Sequence, residues 1–186
     1  MLEQEQGLTF KKNKGYQLDC YADADFAGLW NYEDSEDPVC VKSRSGYVMT
    51  LADCPIHWVS KLQTVIALST LESEYIYLSQ AMRELVPMRR LIKEIIEHLD
   101  PKALENETNL VSTIWEDNNG TISTVTAPKL SPRTKHIATK YHFTRSHIGK
   151  EIVLKKIESE KQKADIFTKG LNEDKFKALQ KLLCGW

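Results

Sequence analysis

Four carboxylates stand where strand-like runs end and helix-like runs begin: Asp23, Glu74, Asp117 and Asp165. Asp23 closes the run YQLDCYAD, and Asp117 follows the apolar stretch Leu110–Trp115. Glu74 lies near the start of a long helical pattern, and Asp165 lies within KQKADIFTKG. The set contains only hard oxygen donors, with no His or Cys, which suits Mg²⁺ or Mn²⁺ rather than zinc. Two such ions about 3.5–4 Å apart can activate a water and stabilise a departing 3′-oxygen in phosphodiester cleavage. Crowded carboxylates repel one another, and a divalent cation is what makes such crowding tolerable. Plainer roles stay open for two of the four. Glu74 could be a border residue reaching back to water, and Asp165 could be no more than an acid at a helix start.

These acids need elements to carry them. Residues 16–23 and 45–51 (SGYVMTL) read as strands, and Ile56–Ser60 reads as a third after a turn marked by Asp53 and Pro55. The close spacing of the second and third predicts a hairpin. Ser69 and Thr70 are N-cap candidates, and Glu72 and Glu74 suit the positive end of a helix. At 100° per residue, Leu71, Tyr75, Leu78, Met82, Leu85, Ile92 and Ile96 form one stripe. Glu74 falls at about −60° from its centre and Glu72 at about +100°, so Glu74 is expected to face the sheet and Glu72 water. Pro87 predicts a kink or split, into pieces near 70–85 and 87–98. A polar linker follows from Asp100 to Asn109, then a buried strand at Leu110–Trp115. Asp117-Asn118-Asn119-Gly120 opens a short helix, and Lys135–Ile148 reads as a basic helix. Glu151–Ile157 reads as a last strand, with Glu160–Thr168 and Glu173–Leu183 as closing helices. A hairpin followed by strand–helix alternation implies an α/β protein, a mixed sheet with helices on its faces. If its first and fourth strands are neighbours, Asp23 and Asp117 converge at their carboxyl ends.

The 186 residues suit one domain. Hydrophobic residues make up 41% and charged residues 27%, which excludes wholesale disorder. Apolar runs are too short for a membrane span of about 20 residues, and MLEQEQGLTFKKNK lacks a signal-peptide core. Cys20, Cys40, Cys54 and Cys184 form no CxxC pair, so free thiols are expected. The net charge of −1 conceals segregation. Gly15–Cys40 holds seven acids and no Lys or Arg, while Lys129–Lys156 holds eight Lys and Arg against one acid, Glu151. That pattern suggests a metal-binding end and a polyanion-binding surface, or two solvated faces that attract each other.

The ordered motifs YADADFAG, SRSGYV, HWVSKLQTVIALSTLESEY, WEDNNG, RTKHIATKYHF and ADIFTKGL resemble the ribonuclease H region ending the polyproteins of Ty1/copia-type LTR retrotransposons. The resemblance runs from about Gly15 to Leu171, and GLTF at Gly7–Phe10 resembles the tail of the connection segment after the reverse transcriptase. It implies residues 1–14 as a remnant of that segment and 15–186 as a ribonuclease H domain with a five-stranded βββαβααβα mixed sheet and helices on both faces. Asp23, Glu74, Asp117 and Asp165 match the family's catalytic, metal-holding acids. The implied activity is endonucleolysis of the RNA strand of RNA·DNA hybrids with two Mg²⁺ ions, Mn²⁺ being able to substitute, leaving 5′-phosphate and 3′-hydroxyl ends. The implied partners are the hybrid and the reverse transcriptase of the same polyprotein, without a membrane, in the cytoplasm within a virus-like particle.

The chain departs from the family in two places. No histidine occurs in the loop Ile157–Lys163, where Glu158 or Glu160 could substitute, and Asn119 stands where the family usually has glutamine. Thr70, Asn118 and Asn119 are placed to reach a ribose, and Arg133, Lys135, His136, Lys140 and Arg145 to reach phosphates. Trp30, Trp58 and Trp115 could stack on nucleic acid, though core packing is expected for the last two. Two other readings stand beside the enzyme: a non-catalytic appendage that positions nucleic acid for a reverse transcriptase, and another ribonuclease H-like nuclease such as an integrase or exonuclease.

Overall fold

Alternation of buried side chains organises the sheet. The computed structural model describes residues 7–9, 15–29, 37, 39–104, 110, 112–127 and 142–185. Within them lie β1 (Leu18–Asp25), β2 (Arg44–Leu51), β3 (Cys54–Leu62), α1 (Thr70–Leu99), β4 (Ser112–Glu116), α2 (Asn119–Thr126), α3 (His142–His147), β5 (Ile152–Lys156) and α4 (Glu173–Cys184). Short 3₁₀ turns occupy Pro101–Leu104, Ser159–Lys161 and Lys163–Phe167. The strand order is β3-β2-β1-β4-β5. The first three strands are antiparallel, and β4 runs parallel to both β1 and β5. This is the expected five-stranded mixed sheet, with the first and fourth strands adjacent.

Leu18, Cys20, Ala22 and Ala24 of β1 face one side with Tyr47, Met49, Ile114 and Ile152. The apolar stripe of α1 covers them: Tyr75, Leu78, Met82 and Leu85 are fully buried, and Ile92 and Ile96 nearly so. Tyr21, Val48 and Ala164 form a smaller core on the other side, with Trp115, Ile157, Phe167 and Leu183 packed against it. The hairpin forms as expected. Ala52 and Asp53 both adopt positive φ (51° and 64°), the two-residue turn that matches strand twist.

Four expectations need correction. Pro87 does not split the helix, which runs unbroken from Thr70 to Leu99. Its ring is on the exposed side, while Leu85, Val86, Ile92 and Ile96 on either side bury into the same core. Pro55 lies inside β3, not in the turn. That strand is at the sheet edge, and a register irregularity at Met49/Thr50 accommodates a residue with no N–H to donate. Glu160–Thr168 is not an α-helix but two 3₁₀ turns separated at Gln162, whose backbone is extended (φ −71°, ψ 95°). Trp58 is 55% exposed on edge strand β3 rather than in the core. Cys20, Cys54 and Cys184 are free thiols. Trp30 and most of the expected helix Lys135–Ile148 lie outside the described residues, as do Arg133, Lys135, His136 and Lys140. Among the described residues, no helix is long and apolar enough to cross a membrane.

Candidate active site

The parallel pairing of β1 and β4 (Tyr21 opposite Trp115) sets Asp23 and Asp117 level with each other, two residues further on, toward the carboxyl ends of two neighbouring strands. Asp23 is 1% exposed. It faces the 3₁₀ segment Lys163–Phe167, which is seated by three contacts. The buried Gln162 carboxamide donates to the Ala22 carbonyl at 2.9 Å, and Ser60 Oγ donates to the Phe167 carbonyl at 2.6 Å. Gly46 permits the closest approach, since a Cβ there would lie 2.7 Å from Phe167 Cβ and from Thr168 Cγ2. The glycine of SRSGYV thus has a physical reason: nothing larger fits between β2 and this segment.

The segment delivers Asp165, 1% exposed, and two lysines that follow it in the chain meet that carboxylate. Lys169 Nζ lies 3.2 Å from Asp23 Oδ1 and 3.0 Å from Asp165 Oδ1. Lys175 Nζ, from α4, lies 2.7 Å from Asp165 Oδ2. The Thr168 hydroxyl donates to Asp23 Oδ2. Burial pushes the Asp23 carboxyl up to about 6, with Lys169 and Thr168 pulling the other way. Burial works against a charged Lys169, but Asp23 and Asp165 outweigh it and hold the ammonium charged well above its usual range.

Glu74 arrives from α1. Ser69 Oγ accepts from the Glu72 N–H at 3.1 Å, and Glu72 Oε2 accepts from the Leu68 N–H at 2.9 Å, a reciprocal cap that fixes the first turn. Buried Gln63 ties that turn to the sheet by donating to the Ser73 carbonyl and to Ser45 Oγ, each at 2.9 Å. The wheel reading agrees with this placement: Glu74 is 4% exposed, whereas Glu72 is partly open to solvent.

One carboxylate was not among the expected four. Glu116 is fully buried at the end of β4. Its Oε1 accepts from the Asn118 N–H at 2.9 Å, while its Oε2 and that of Glu74 have no hydrogen-bond partner. Burial drives both carboxyls far above the usual carboxylate range. Glu116, Asp23 and Asp117 add repulsion at Glu74, as do Asp117 and Asp23 at Glu116. Strand periodicity was the available signal, since Ser112, Ile114 and Glu116 share a face. Asp117 itself is half-buried. Its Oδ2 accepts from Ser159 Oγ at 2.8 Å, and its carbonyl accepts from Lys156 Nζ.

Asp23 thus feels the charge of Asp165 and acts on both Glu74 and Glu116, while Asp117 acts on the two glutamates. Among the described residues, no three Asp, Glu, His or Cys side chains are arranged, as they stand, to hold a metal ion. Asp23 and Asp165 are engaged by ammonium groups instead. The donor chemistry nonetheless fits a divalent cation: the acceptors are all oxygen, and two buried carboxylate oxygens have no partner.

The surrounding candidates are more dispersed. Thr70 and Asn119 are exposed at the starts of α1 and α2. Asn118 caps α2, its Oδ1 accepting from the Gly120 and Thr121 N–H groups at 2.8 and 3.1 Å. The Arg145 guanidinium donates to the Ala127 carbonyl. In the loop that lacks histidine, Glu158 pairs with Lys161 at 2.7 Å, and Glu160 is exposed.

No family model matches the chain. Among curated proteins, the chain is 30% identical over 164 residues to the retrovirus-related Pol polyprotein from transposon TNT 1-94 of Nicotiana tabacum, covering 88% of this chain and 11% of that protein. It is 31% identical over 173 residues to the Pol polyprotein from transposon RE2 of Arabidopsis thaliana, covering 92% and 11%. The chain thus spans about a tenth of the length of these relatives. Among solved structures, LC11-RNase H1, isolated from compost, superposes with a TM-score of 0.53 at 15% identity, covering 82% of this chain and 93% of that one. The N-terminal RNase H domain of rv2228c from Mycobacterium tuberculosis gives 0.53 at 12% identity, covering 90% and 98%. LC11-RNase H1 in complex with an RNA/DNA hybrid gives 0.50 at 15% identity, covering 81% and 93%. At such identities the likeness is one of fold.

Proposed function

This chain is a ribonuclease H-fold segment of the retrovirus-related Pol polyprotein family, and from that premise we propose that it is a divalent-metal-dependent endonuclease acting on the RNA strand of RNA·DNA hybrids. The observation that carries this reading is the series of neighbouring carboxylates that runs from Asp165 through Asp23 to Glu74, Glu116 and Asp117, with Glu74 Oε2 and Glu116 Oε2 buried and unpartnered. Surplus buried negative charge of this kind is costly unless a cation answers it. Asp23, Glu74, Asp117 and Asp165 would hold the ions, which when bound supply an activated water and neutralise charge building on the scissile phosphate.

The chain's own groups do the positioning. Ser159 orients Asp117 through Oδ2, and Lys156 holds the backbone turn at Asp117. Thr70 and Asn119, exposed beside Glu74 and Asp117, are set to meet 2′-hydroxyls, the groups that tell RNA from DNA. Asn118 spends its Oδ1 on the α2 cap, which leaves its amide NH₂ for a ribose. Arg133, Lys135, His136 and Lys140 serve as phosphate contacts in this reading. Hybrid binding by an RNase H of the same fold supports the choice of substrate. Its source is the reverse transcriptase of the same polyprotein, in a cytoplasmic virus-like particle.

A second reading has its own support. The pairing of Asp23 and Asp165 with Lys169 and Lys175 is what a nucleic-acid-positioning appendage without chemistry would retain. Incubation with a hybrid labelled on its RNA strand separates the two. Enzyme with Mg²⁺ or Mn²⁺ is expected to give internal RNA fragments with 5′-phosphate ends. Folded protein that binds hybrid yet stays inert with both metals makes the appendage the correct reading, and products released only from an end indicate an exonuclease.

A further inference from the structure

Lys169 occupies an unusual place for a lysine. Its side chain is 34% exposed, yet its ammonium bridges two carboxylates that are 2% and 1% exposed. Lys175 touches Asp165 alone and is carried by α4, whose start is fixed by Asn172 Oδ1 accepting from the Lys175 N–H at 2.8 Å. Lys169 follows the last 3₁₀ turn and precedes Gly170, outside any helix or strand. It also lines a cavity of about 310 Å³ shared with Asp25, Lys42, Arg44 and Ser60. Asp25, the second acid of the DAD run, already feels the Lys169 charge. The ammonium therefore has a tether without regular structure, an open side and a third carboxylate, Asp25, nearby.

We propose that Lys169 is the exchangeable counter-cation of this carboxylate centre: it holds Asp23 and Asp165 together in the metal-free protein and withdraws toward Asp25 when divalent ions load. The inference rests on reading the site as a divalent-cation centre. One ammonium cannot compensate five acids, and it makes direct contact only with Asp23 and Asp165, leaving one oxygen each of Glu74 and Glu116 without a hydrogen-bond partner. A divalent ion carries twice the charge and accepts several oxygens at once, so it wins the exchange. In this account Lys169 lowers apparent metal affinity and prevents Asp23 and Asp165 from repelling each other apart.

Calorimetric titration of the metal-free 186-residue chain with MnCl₂ or MgCl₂ alone, without nucleic acid, tests the exchange. Lys169→Met is expected to melt at lower temperature without metal and to bind Mn²⁺ roughly tenfold more tightly than the unaltered chain. Lys169→Arg, whose planar fork grips carboxylates in two places, is expected to fold normally and bind Mn²⁺ several-fold more weakly. Lys93→Met, which removes an exposed charge from α1, controls for net charge and is expected to leave affinity within about twofold. Affinity unchanged or weakened in Lys169→Met overturns the proposal. So does an unchanged affinity in Lys169→Arg should the Met variant not fold. If the unaltered folded chain binds neither metal, the divalent-centre reading itself fails and this inference with it.

Discussion

The five acids divide into two halves of opposite character. Asp23 and Asp165 are buried but answered, each touching an ammonium, with Thr168 completing Asp23. Glu74 and Glu116 are buried to the same degree and unanswered, each with one oxygen lacking any partner. Asp117 joins them from the solvent side. The difference shows that burial alone does not decide how a carboxylate is stabilised. The first half is held by its cations, although burial still outweighs them at Asp23, whereas the second stores repulsion that a proton or a cation must relieve.

The sharpest test of that division is loss of Asp117, the half-buried member beside the unanswered pair. Asp117→Asn is expected to lower metal-dependent hydrolysis roughly 10³-fold while hybrid affinity, measured by fluorescence anisotropy, stays nearly constant. The answered half is broken more bluntly from behind. Gly46→Ala pushes a Cβ into Phe167 and Thr168, displacing the segment that carries Asp165 and Lys169. Its expected cost is about 2–3 kcal/mol in urea unfolding, with a parallel loss of activity.

Changing pH sharpens the comparison within the unaltered protein. For the raised carboxyls of Asp23, Glu74 and Glu116, the folded state binds more protons than the unfolded chain once pH exceeds about 4. Their contribution to metal-free stability is therefore fullest at acidic pH. It falls as pH rises through about 6, where Asp23 ionises, and continues to fall beyond as the glutamate pair ionises. Glu116→Gln is expected to recover about 2 kcal/mol of that loss near pH 8 and flatten the slope in thermal melts. Stabilisation by added Mg²⁺ runs the opposite way and grows with pH, because the ion competes with protons. The smallest effect belongs to Ser159→Ala, which frees Asp117 Oδ2 of one exposed hydrogen bond. We expect a cost of about 1 kcal/mol at most, seen as a few-fold fall in kcat with KM nearly unchanged.

How much of this was legible in the sequence depends on the range of the determining contact. Glu74 was readable because helix periodicity is local, and the wheel placed it inward as the structure does. The hairpin and the Ser69 cap followed from equally local signals, whereas the adjacency of the first and fourth strands is a tertiary event that the sequence left as a condition. Glu116 was missed although strand alternation put it on the core face with Ile114, because an acid inside a five-residue strand reads as its end. Lys169 and Lys175 gave no signal at all. Their pairing with acids depends on the last 3₁₀ turn docking against β1 and β2, a tertiary event. The same docking overrode the helical look of Glu160–Thr168, since Gln162 breaks the turn to bond across the sheet. Pro87 illustrates the reverse: a strong local signal lost to burial on both sides of it.

The carboxamide of Gln162 has a further consequence. Its Nε2 reaches the carbonyls of Ala22 at 2.9 Å and Trp115 at 3.4 Å, on two neighbouring strands. The last paired residues of β1 and β4 are Tyr21 and Trp115. A side chain from a distant loop thus staples the fork where the strands part. Peeling that loop away uncovers both strand ends together, so the amides of residues 162–168 and the far end of β1 should exchange hydrogen for deuterium as one cooperative unit.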